Sequence, residues 1–403
     1  MNKLQSFRHL QVVAAVVRYG GVRKAAERIG LSQPATSSAI SGVEEAIGET
    51  LFDRLSQGMI PTKAGELFAQ RIDRALGYLK SGAQAIVTRR STRGADTPLL
   101  VRPATTVQLR ALIEVAEHGG YAQAARNLGV TQPNIHRAIR DLEKVAGRKL
   151  FQPSPFGAAP TAEALILVRW ASLAFREIDQ GLDELRELRG LRNGSLVIGS
   201  LPLLRTTVLP IAVTRLLADH PDARVQIVDA PYDELLHRLQ HGHIDLIVGA
   251  LRTPAPASDV RQEELFQEPL SIAVRAGHPI LKSGAIDTRT LANLEWIAPS
   301  VLTPAGAQFA AFFRRQGFRL PKRIIVCSSF ITTRDLLVRS DRAALLSTSQ
   351  IQYEALAGEL AIAVAALPGT ERPIGLCMRL DWSPTMLQNS FLSLVRTSIS
   401  KSS

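Results

Sequence analysis

The stretch GGVRKAAERIGLSQPATSSAI, which begins at Gly20, returns as GGYAQAARNLGVTQPNIHRAI from Gly119. Shifted by 99 positions, the chain aligns with itself without a gap from about Leu10 to Thr62. Leu10 meets Leu109, Ala25-Ala26 meets Ala124-Ala125, Gly30 meets Gly129, Gln33-Pro34 meets Gln132-Pro133, Leu51-Phe52 meets Leu150-Phe151 and Pro61-Thr62 meets Pro160-Thr161. A gapless match of this length is a duplicated domain. Two copies at so long a period do not make a solenoid, whose units are shorter and more numerous. At 403 residues the chain has room for two or three domains with their own cores.

Each copy has the same internal logic. Leu10, Val13, Val16 and Val17 recur at helical spacing, and Gly20-Gly21 ends that helix. VRKAAERI is a short second helix whose paired alanines permit close approach of another helix, and Gly30 supplies a tight turn. Ser32 is placed to cap a third helix, with Pro34 in its first turn, where a missing N–H costs nothing; Thr131 and Pro133 take those parts in the second copy. Two short helices joined by a glycine-containing turn form a helix-turn-helix, whose second helix enters the major groove of DNA. LFDRLSQGMIPT reads as a two-stranded wing, and long amphipathic helices follow over about 62–90 and 161–189.

AAERIGLSQPATSSAISGVEEAIGETLFDRLSQGMIPTKAGELF and AARNLGVTQPNIHRAIRDLEKVAGRKLF each resemble the DNA-binding domain of LysR-type transcriptional regulators. The usual family member has one such domain, a linker helix and an effector-binding domain. The resemblance here covers nearly the whole chain with the first part doubled. It implies a winged helix-turn-helix domain at 1–62, a linker helix at 63–90, a linker at 91–104, a second winged domain at 105–161, a linker or dimerisation helix at 162–190 and an effector domain at 191–403. The copies depart from the family pattern in different places. The recognition-helix Arg of the family is Ser38 in copy one and Arg137 in copy two; Arg54 and Lys63 of copy one become Pro153 and Ala162 in copy two.

Arg suits guanine edges, and Asn or Gln suits adenine. Gln33, Thr36, Ser37 and Ser38 are the candidate base-reading residues of copy one, and Gln132, Asn134, His136 and Arg137 those of copy two; Ser32 and Pro34 in copy one and Thr131, Pro133 and Arg140 in copy two complete the candidate DNA-binding set. Arg23, Lys24, Arg54 and Lys63 are expected to contact phosphate, which sets position and salt dependence. Residues 1–90 carry +6 of the formal net charge of +12, so the first block is the most basic for its length. In the second long helix Phe175, Ile178, Leu182, Leu185 and Leu188 step by three or four, a coiled-coil-like seam. By resemblance this helix pairs two subunits, giving a homodimer or homotetramer that reads paired half-sites on double-stranded DNA.

From Leu191 the texture changes. GSLVIGS, ARVQIVDA and HIDLIVGAL are strands separated by helical segments, a βαβαβ run that makes a parallel sheet with helices on both faces. EPLSIAVRAGHP reads as a crossing into a second α/β lobe and IGLCMRL as the return. The fold class is therefore multidomain: two all-α-rich winged helix-turn-helix domains with long linker helices, then an α/β two-lobed domain. Two such lobes resemble the periplasmic-binding-protein type II architecture of LysR effector domains. Ligands of open α/β sheets bind beyond the carboxyl ends of strands. That selects Ser200, Leu201, Pro202 and Leu203, with Thr206 and Thr207 at a helix N-terminus, and Ser300, Thr303, Ser328, Ser329 and Phe330 from the second lobe, as sites for a small-molecule effector. The family often has Ser or Thr at the position of Leu203, and its Gly-x-Gly turn is SDR at 340–342 here.

Other chemistries find little support. The run LHRLQHGHID places His237, His241 and His243 together, but nothing within it completes a zinc set. Cys327 and Cys377 sit in apolar, strand-like segments and read as buried inert thiols in a reducing compartment. No cofactor, metal or catalytic residue is expected, no stretch is apolar enough to span a membrane, and the N-terminus lacks a signal-peptide core, which points to the cytoplasm. The reading is a transcriptional regulator that binds DNA and responds to an effector. The rival is a cytoplasmic small-molecule-binding protein or enzyme whose N-terminal helical domains serve interaction; the hydroxyl and apolar side chains of the cleft suit recognition better than catalysis.

Overall fold

A computed structural model of the protein describes residues 6–55, 58–88, 104–155, 157–202, 208–283 and 286–399. In the first copy α1 (Phe7–Tyr19), α2 (Val22–Ile29) and α3 (Gln33–Ile47) precede a hairpin of β1 (Phe52–Leu55) and β2 (Gly58–Pro61), followed by α4 (Lys63–Thr88). The second copy repeats them as α5 (Thr106–His118), α6 (Tyr121–Leu128), α7 (Gln132–Ala146), β3 (Phe151–Ser154), β4 (Gly157–Pro160) and α8 (Ala162–Leu188). Every element starts 99 residues after its counterpart.

The local causes are duplicated too. Gly30 and Gly129 close α2 and α6 in the left-handed region, at φ 67° and 66°, where a side chain would be strained. The Thr62 hydroxyl donates to the Thr50 carbonyl (3.0 Å) and accepts from the Gly65 N–H (3.0 Å). Thr161 does the same with Lys149 and Ala164, both at 3.2 Å. Each recognition helix is tied to its own wing by one carboxylate: Glu44 accepts from the N–H groups of Leu51 (2.8 Å) and Phe52 (3.1 Å), and Glu143 from that of Leu150 (2.8 Å).

The two copies pack on each other. The helices α4 and α8 run antiparallel and make the most extensive helix–helix contact among the described residues. One apolar cluster spans both copies, taking in Phe7, Phe68, Ile72 and Ala75 of the first and Leu112, Ile139, Ala174, Ile178 and Leu185 of the second. This corrects the expectation that the stripe on α8 is the seam to a second subunit. Phe175 lies against Phe7 with ring centroids 5.4 Å apart, and Ile178 and Leu185 are buried in the shared cluster. The duplication supplies a second helix of matching pattern on the same chain. A tethered partner is present at high effective concentration, so the stripe is covered in cis over Phe175, Ile178, Leu182 and Leu185, while Leu188 at its end is exposed.

The remainder forms two lobes. The first holds β5 (Ser195–Ser200), α9 (Val208–Asp219), β6 (Arg224–Asp229), α10 (Tyr232–Gln240), β7 (Leu246–Ala250) and β8 (Val260–Glu268). The second holds β9 (Leu270–Arg275), α11 (Thr288–Asn293), β10 (Glu295–Ala298), α12 (Pro304–Arg315), β11 (Ile324–Val326), α13 (Phe330–Val338), β12 (Arg342–Ser347), α14 (Thr348–Leu356) and β13 (Leu360–Val364). The chain then returns to the first lobe with β14 (Arg372–Arg379) and α15 (Met386–Ile399). The sheets run β6-β5-β7-β14-β8 and β11-β10-β12-β9-β13. β5 is parallel to both of its neighbours, and β14 is antiparallel to β7 and β8.

The two crossings, β8 to β9 and β13 to β14, lie side by side. The Leu270 N–H donates to the Thr370 hydroxyl (3.0 Å), and the Ala366 N–H to that of Ser271 (2.9 Å). Arg372, buried here, donates to Ser347 (2.6 Å); burial pushes its guanidinium down to about 10, with Glu268 opposing.

Candidate DNA interface and effector cleft

The recognition helices α3 and α7 open alike but are not capped alike. Ser32 accepts from the Ala35 N–H (3.3 Å), whereas Thr131 makes no side-chain cap bond, contrary to expectation. Gln33, Pro34 and Ser38 are exposed on α3, as are Gln132, Pro133, Asn134, Arg137 and Arg140 on α7. Thr36 is a correction. Its side chain is 0% exposed and its hydroxyl donates to the Ser32 carbonyl (3.0 Å). Thr36, Ala39, Ile40 and Val43 fall on one helical face, and that face is core. The 99-residue offset carried the signal, because the counterpart of Thr36 is Ile135.

Ser37 is half-buried, and its counterpart His136 is stacked on Tyr121, with centroids 3.8 Å apart and planes at 15°. Arg23 and Lys24 are exposed on α2, Arg23 beside Glu27 at 3.3 Å, and Lys63 is exposed at the start of α4. Arg54 projects from the wing and donates to the Ser41 hydroxyl of α3 (2.7 Å), with Glu44 4.0 Å away. The guanidinium fork keeps further donors for an anion.

The first lobe is clamped to the long helices by charge. Arg176 of α8 makes a bidentate pair with Asp245 (2.8 and 2.7 Å), and Asp245 also accepts from the Val197 N–H (2.9 Å). Burial works against the charge on Arg176, and Asp245 more than offsets it, so its pKa is raised. Asp183 accepts from the N–H (3.1 Å) and hydroxyl (2.8 Å) of Ser195. Gln180 donates to Gln388 (3.1 Å), and Arg169 pairs with Asp259. From α4, Arg71 donates to Glu177 (2.9 Å), to Glu184 and to the Ser383 carbonyl (3.0 Å). Arg74 takes both oxygens of Glu177 at 3.0 Å. Both long helices thus reach the effector domain. Sequence reasoning did not find these residues, since their partners lie up to 312 positions away.

In the cleft, Leu203, Thr206 and Thr207 lie outside the described residues. Ser200 ends β5 at 0% exposure, and Leu201 packs over Gly249, donating its N–H to Val248 (3.0 Å). Pro202 is exposed, and its carbonyl accepts from Gln350 of the opposite lobe (3.4 Å). In the second lobe β10 and β11 are parallel, so the loops carrying Ser300 and Ser328 adjoin. The hydroxyls of Thr303 and Ser329 cap α12 and α13, accepting from Gly306 (3.1 Å) and Thr332 (3.3 Å). Thr303 also donates to the Ser300 carbonyl (2.7 Å), so its hydroxyl is engaged within the protein. Ser328 is exposed and Phe330 half-buried. Arg252, just beyond β7, stacks over the Tyr232 ring at 4.4 Å and donates across the cleft to the Leu302 carbonyl (3.4 Å). No sequence pattern singled it out.

His237 and His241 stack with centroids 3.9 Å apart, and His243 sits 3.3 Å from Glu117 of α5. Burial pushes His241 down to about 4. Cys377 is buried, and burial pushes its thiol up to about 11. Cys327 departs from expectation: it is only half-buried, beyond the end of β11, and donates to the Ser329 carbonyl (3.5 Å). No described helix is long and apolar enough to cross a membrane.

The lysR-family model of the bacterial regulatory helix-turn-helix protein matches residues 7–66 and again 106–165, and the LysR substrate binding domain model matches 189–399. The HTH-type transcriptional regulator GalR of Pseudomonas putida is 31% identical over 380 residues, 94% of this chain and 93% of GalR, so that alignment runs through both winged units. The regulator PcaQ of Agrobacterium fabrum is 28% identical over 289 residues, covering 72% of this chain and 93% of PcaQ. Among solved structures, ArgP from Mycobacterium tuberculosis superposes with a TM-score of 0.57 at 17% identity, covering 73% of this chain and 96% of its own. A full-length OxyR variant from Pseudomonas aeruginosa gives 0.56 at 20%, covering 73% and 98%. Each of these two structures leaves about a quarter of this chain unmatched, the size of one winged unit with its helix. Two winged units on long helices, joined to one two-lobed domain and matched by both family models, make this chain a member of the LysR family of DNA-binding transcriptional regulators with an effector-binding domain.

Proposed function

We propose that both winged units engage double-stranded DNA and that a small molecule held between the two lobes controls that engagement. The observation that supports it best is the repeated display of exposed polar side chains on the opening turns of α3 and α7, each backed by a wing. Arg137 is the base reader of copy two, with Gln132 and Asn134 suited to adenine, and Gln33 and Ser38 read for copy one. Arg54, Lys63, Arg23 and Lys24 hold phosphate. The effector sits among Leu201, Pro202, Ser300, Ser328 and Phe330, above the buried Ser200 at the end of β5, with Arg252 as a cationic group beside it. The charged clamp on α8 and α4 carries its influence to the winged units. The protein acts in the cytoplasm as a homodimer or homotetramer, joined through surfaces other than the covered stripe of α8.

Two measurements test this. Binding of the full chain to labelled duplex DNA from its own upstream region is followed at several salt concentrations, where affinity should fall steeply as salt rises. Absence of duplex binding, or binding indifferent to salt, would favour the rival in which the helical units only join proteins. A thermal-shift screen of metabolites on the full chain should find a stabilising ligand, worth about 2.7 kcal/mol at a hundred times its Kd.

A further inference from the structure

Positions 71 and 170 correspond under the duplication, as do 75 and 174, 78 and 177, and 82 and 181. The contacts between α4 and α8 obey the same exchange. Arg71 meets Glu177, and in the exchanged position Tyr78 meets Trp170, with ring centroids 5.8 Å apart. Gly181 is backed by Arg71, whose Cβ would lie 3.1 Å from an added methyl; Gly82 is backed by Trp170, whose Cβ would lie 2.8 Å away. In both of these pairs the counterparts touch in reverse. That reciprocity is the mark of a two-fold axis between the helices, near the fully buried Ala75 and Ala174. The chain contains an internal pseudo-symmetric pair.

Such an axis exchanges two antiparallel helices only if it stands perpendicular to both. A rotation leaves the direction of its own axis unchanged, so any surface one winged unit turns along the axis, the other turns the same way. The start of each long helix lies 12 residues from the axis position (63 to 75, 162 to 174). At about 1.5 Å per residue the two wing–helix junctions stand about 36 Å apart. One turn of DNA separates adjacent half-sites by about 34–36 Å.

The exchanged contacts are chemically unlike. Pairing α4 with a second α4 in this register would set Arg71 against Tyr78. Pairing α8 with a second α8 would set Glu177 against Trp170 and leave a buried carboxylate without its cation. Both alternatives are penalised, and the unlike pairing is selected. The reading surfaces are unlike as well: α3 and its flanks carry no cation from Leu31 to Ile47, and α7 carries Arg137, Arg140 and Lys144.

Resting on the DNA-binding function above, we propose that one chain alone occupies a dissimilar pair of half-sites about one helical turn apart. One half is read by amides and hydroxyls of α3, the other by Asn134 and Arg137 of α7. The partner is a duplex whose repeating unit is directional rather than palindromic.

The test is in vitro selection of random duplexes by the full-length chain, followed by native mass spectrometry on the enriched duplex. The expected motif has two different halves in fixed order, and each chain of the bound oligomer takes up one such unit, so a dimer takes up two. Arg137→Ala should alter the selected bases of one half only, and Gln33→Ala those of the other half only. An inverted repeat of like halves within one unit, both responding to the same substitution, would overturn the proposal, as would a dimer that takes up only one unit when two are offered, or a motif with a single half. Failure to enrich any duplex would overturn the DNA-binding reading itself, and this proposal with it.

Discussion

The first winged unit and the second share their elements, their helix-ending glycines and the threonine that starts each long helix, yet their surfaces have parted. On α3 the exposed side chains of the opening turns are neutral, and the cation sits on the wing as Arg54. On α7 the cations have moved onto the helix as Arg137 and Arg140, and the wing has Pro153 in place of Arg54. Between the long helices, one end of the pair is the buried Arg71–Glu177 ion pair and the other is the Tyr78–Trp170 aromatic pair. Two sequences that keep the same core positions keep the same backbone. The faces turned to DNA, to the partner copy or to the effector domain are free to acquire different chemistry.

The sharpest way to break this comparison is at the helix pair. Glu177 is 2% exposed and holds both Arg71 and Arg74. Glu177→Ala strands Arg71 in the interior, with Glu184 as its remaining carboxylate, and is predicted to cost about 3 kcal/mol in denaturant unfolding. A cost below about 1 kcal/mol would show that the ionic end does not hold the copies together.

The division of labour on DNA comes next. Arg137→Ala is predicted to relax base preference by roughly 1–3 kcal/mol with little change in salt dependence. Arg54→Ala, which frees Ser41, should weaken all sequences alike and lower the salt slope by about one. Affinities for the selected duplex and a scrambled one at several salt concentrations decide between them. If Arg137→Ala leaves their ratio unchanged while Gln33→Ala destroys it, copy one is the sole reader and copy two is retained for packing.

A smaller effect separates Asp179 from its exposed counterpart Lys80. Burial holds the Asp179 carboxyl up at about 6, with Arg176 opposing and Asp183 adding. The folded chain therefore favours the protonated form, and its contribution to stability is greatest below the unfolded value of about 3.9 and lost as pH rises through about 6. Asp179→Asn should gain on the wild type between about pH 4 and pH 6 and stay the more stable at pH 7. Melting curves of the two proteins across that range check this; a constant offset would refute it.

The smallest change is expected at Thr36. Since its counterpart is Ile135, Thr36→Val should leave the ratio of selected to scrambled affinity unchanged and alter stability by less than about 1 kcal/mol. A tenfold fall in that ratio would restore Thr36 to the reading surface.

Much of this molecule was legible in local pattern. Helical periodicity, left-handed glycines, capping hydroxyls and the alternation of strands and helices determine two winged units and a two-lobed α/β domain, because each depends on residues a few positions apart. The stripe on α8 was equally legible, but not what covers it. Apolar burial is non-directional, so Phe175, Ile178 and Leu185 present the same face to a second subunit as to the first copy of their own chain. Beyond the caps, the burial of a polar residue left a sequence signal only where the duplication supplied a second sample, as at Thr36, whose counterpart is Ile135. Glu177, Asp245 and Arg252 had no such guide. Their roles come from partners 106, 69 and 50 positions away, brought into reach by the tertiary fold alone.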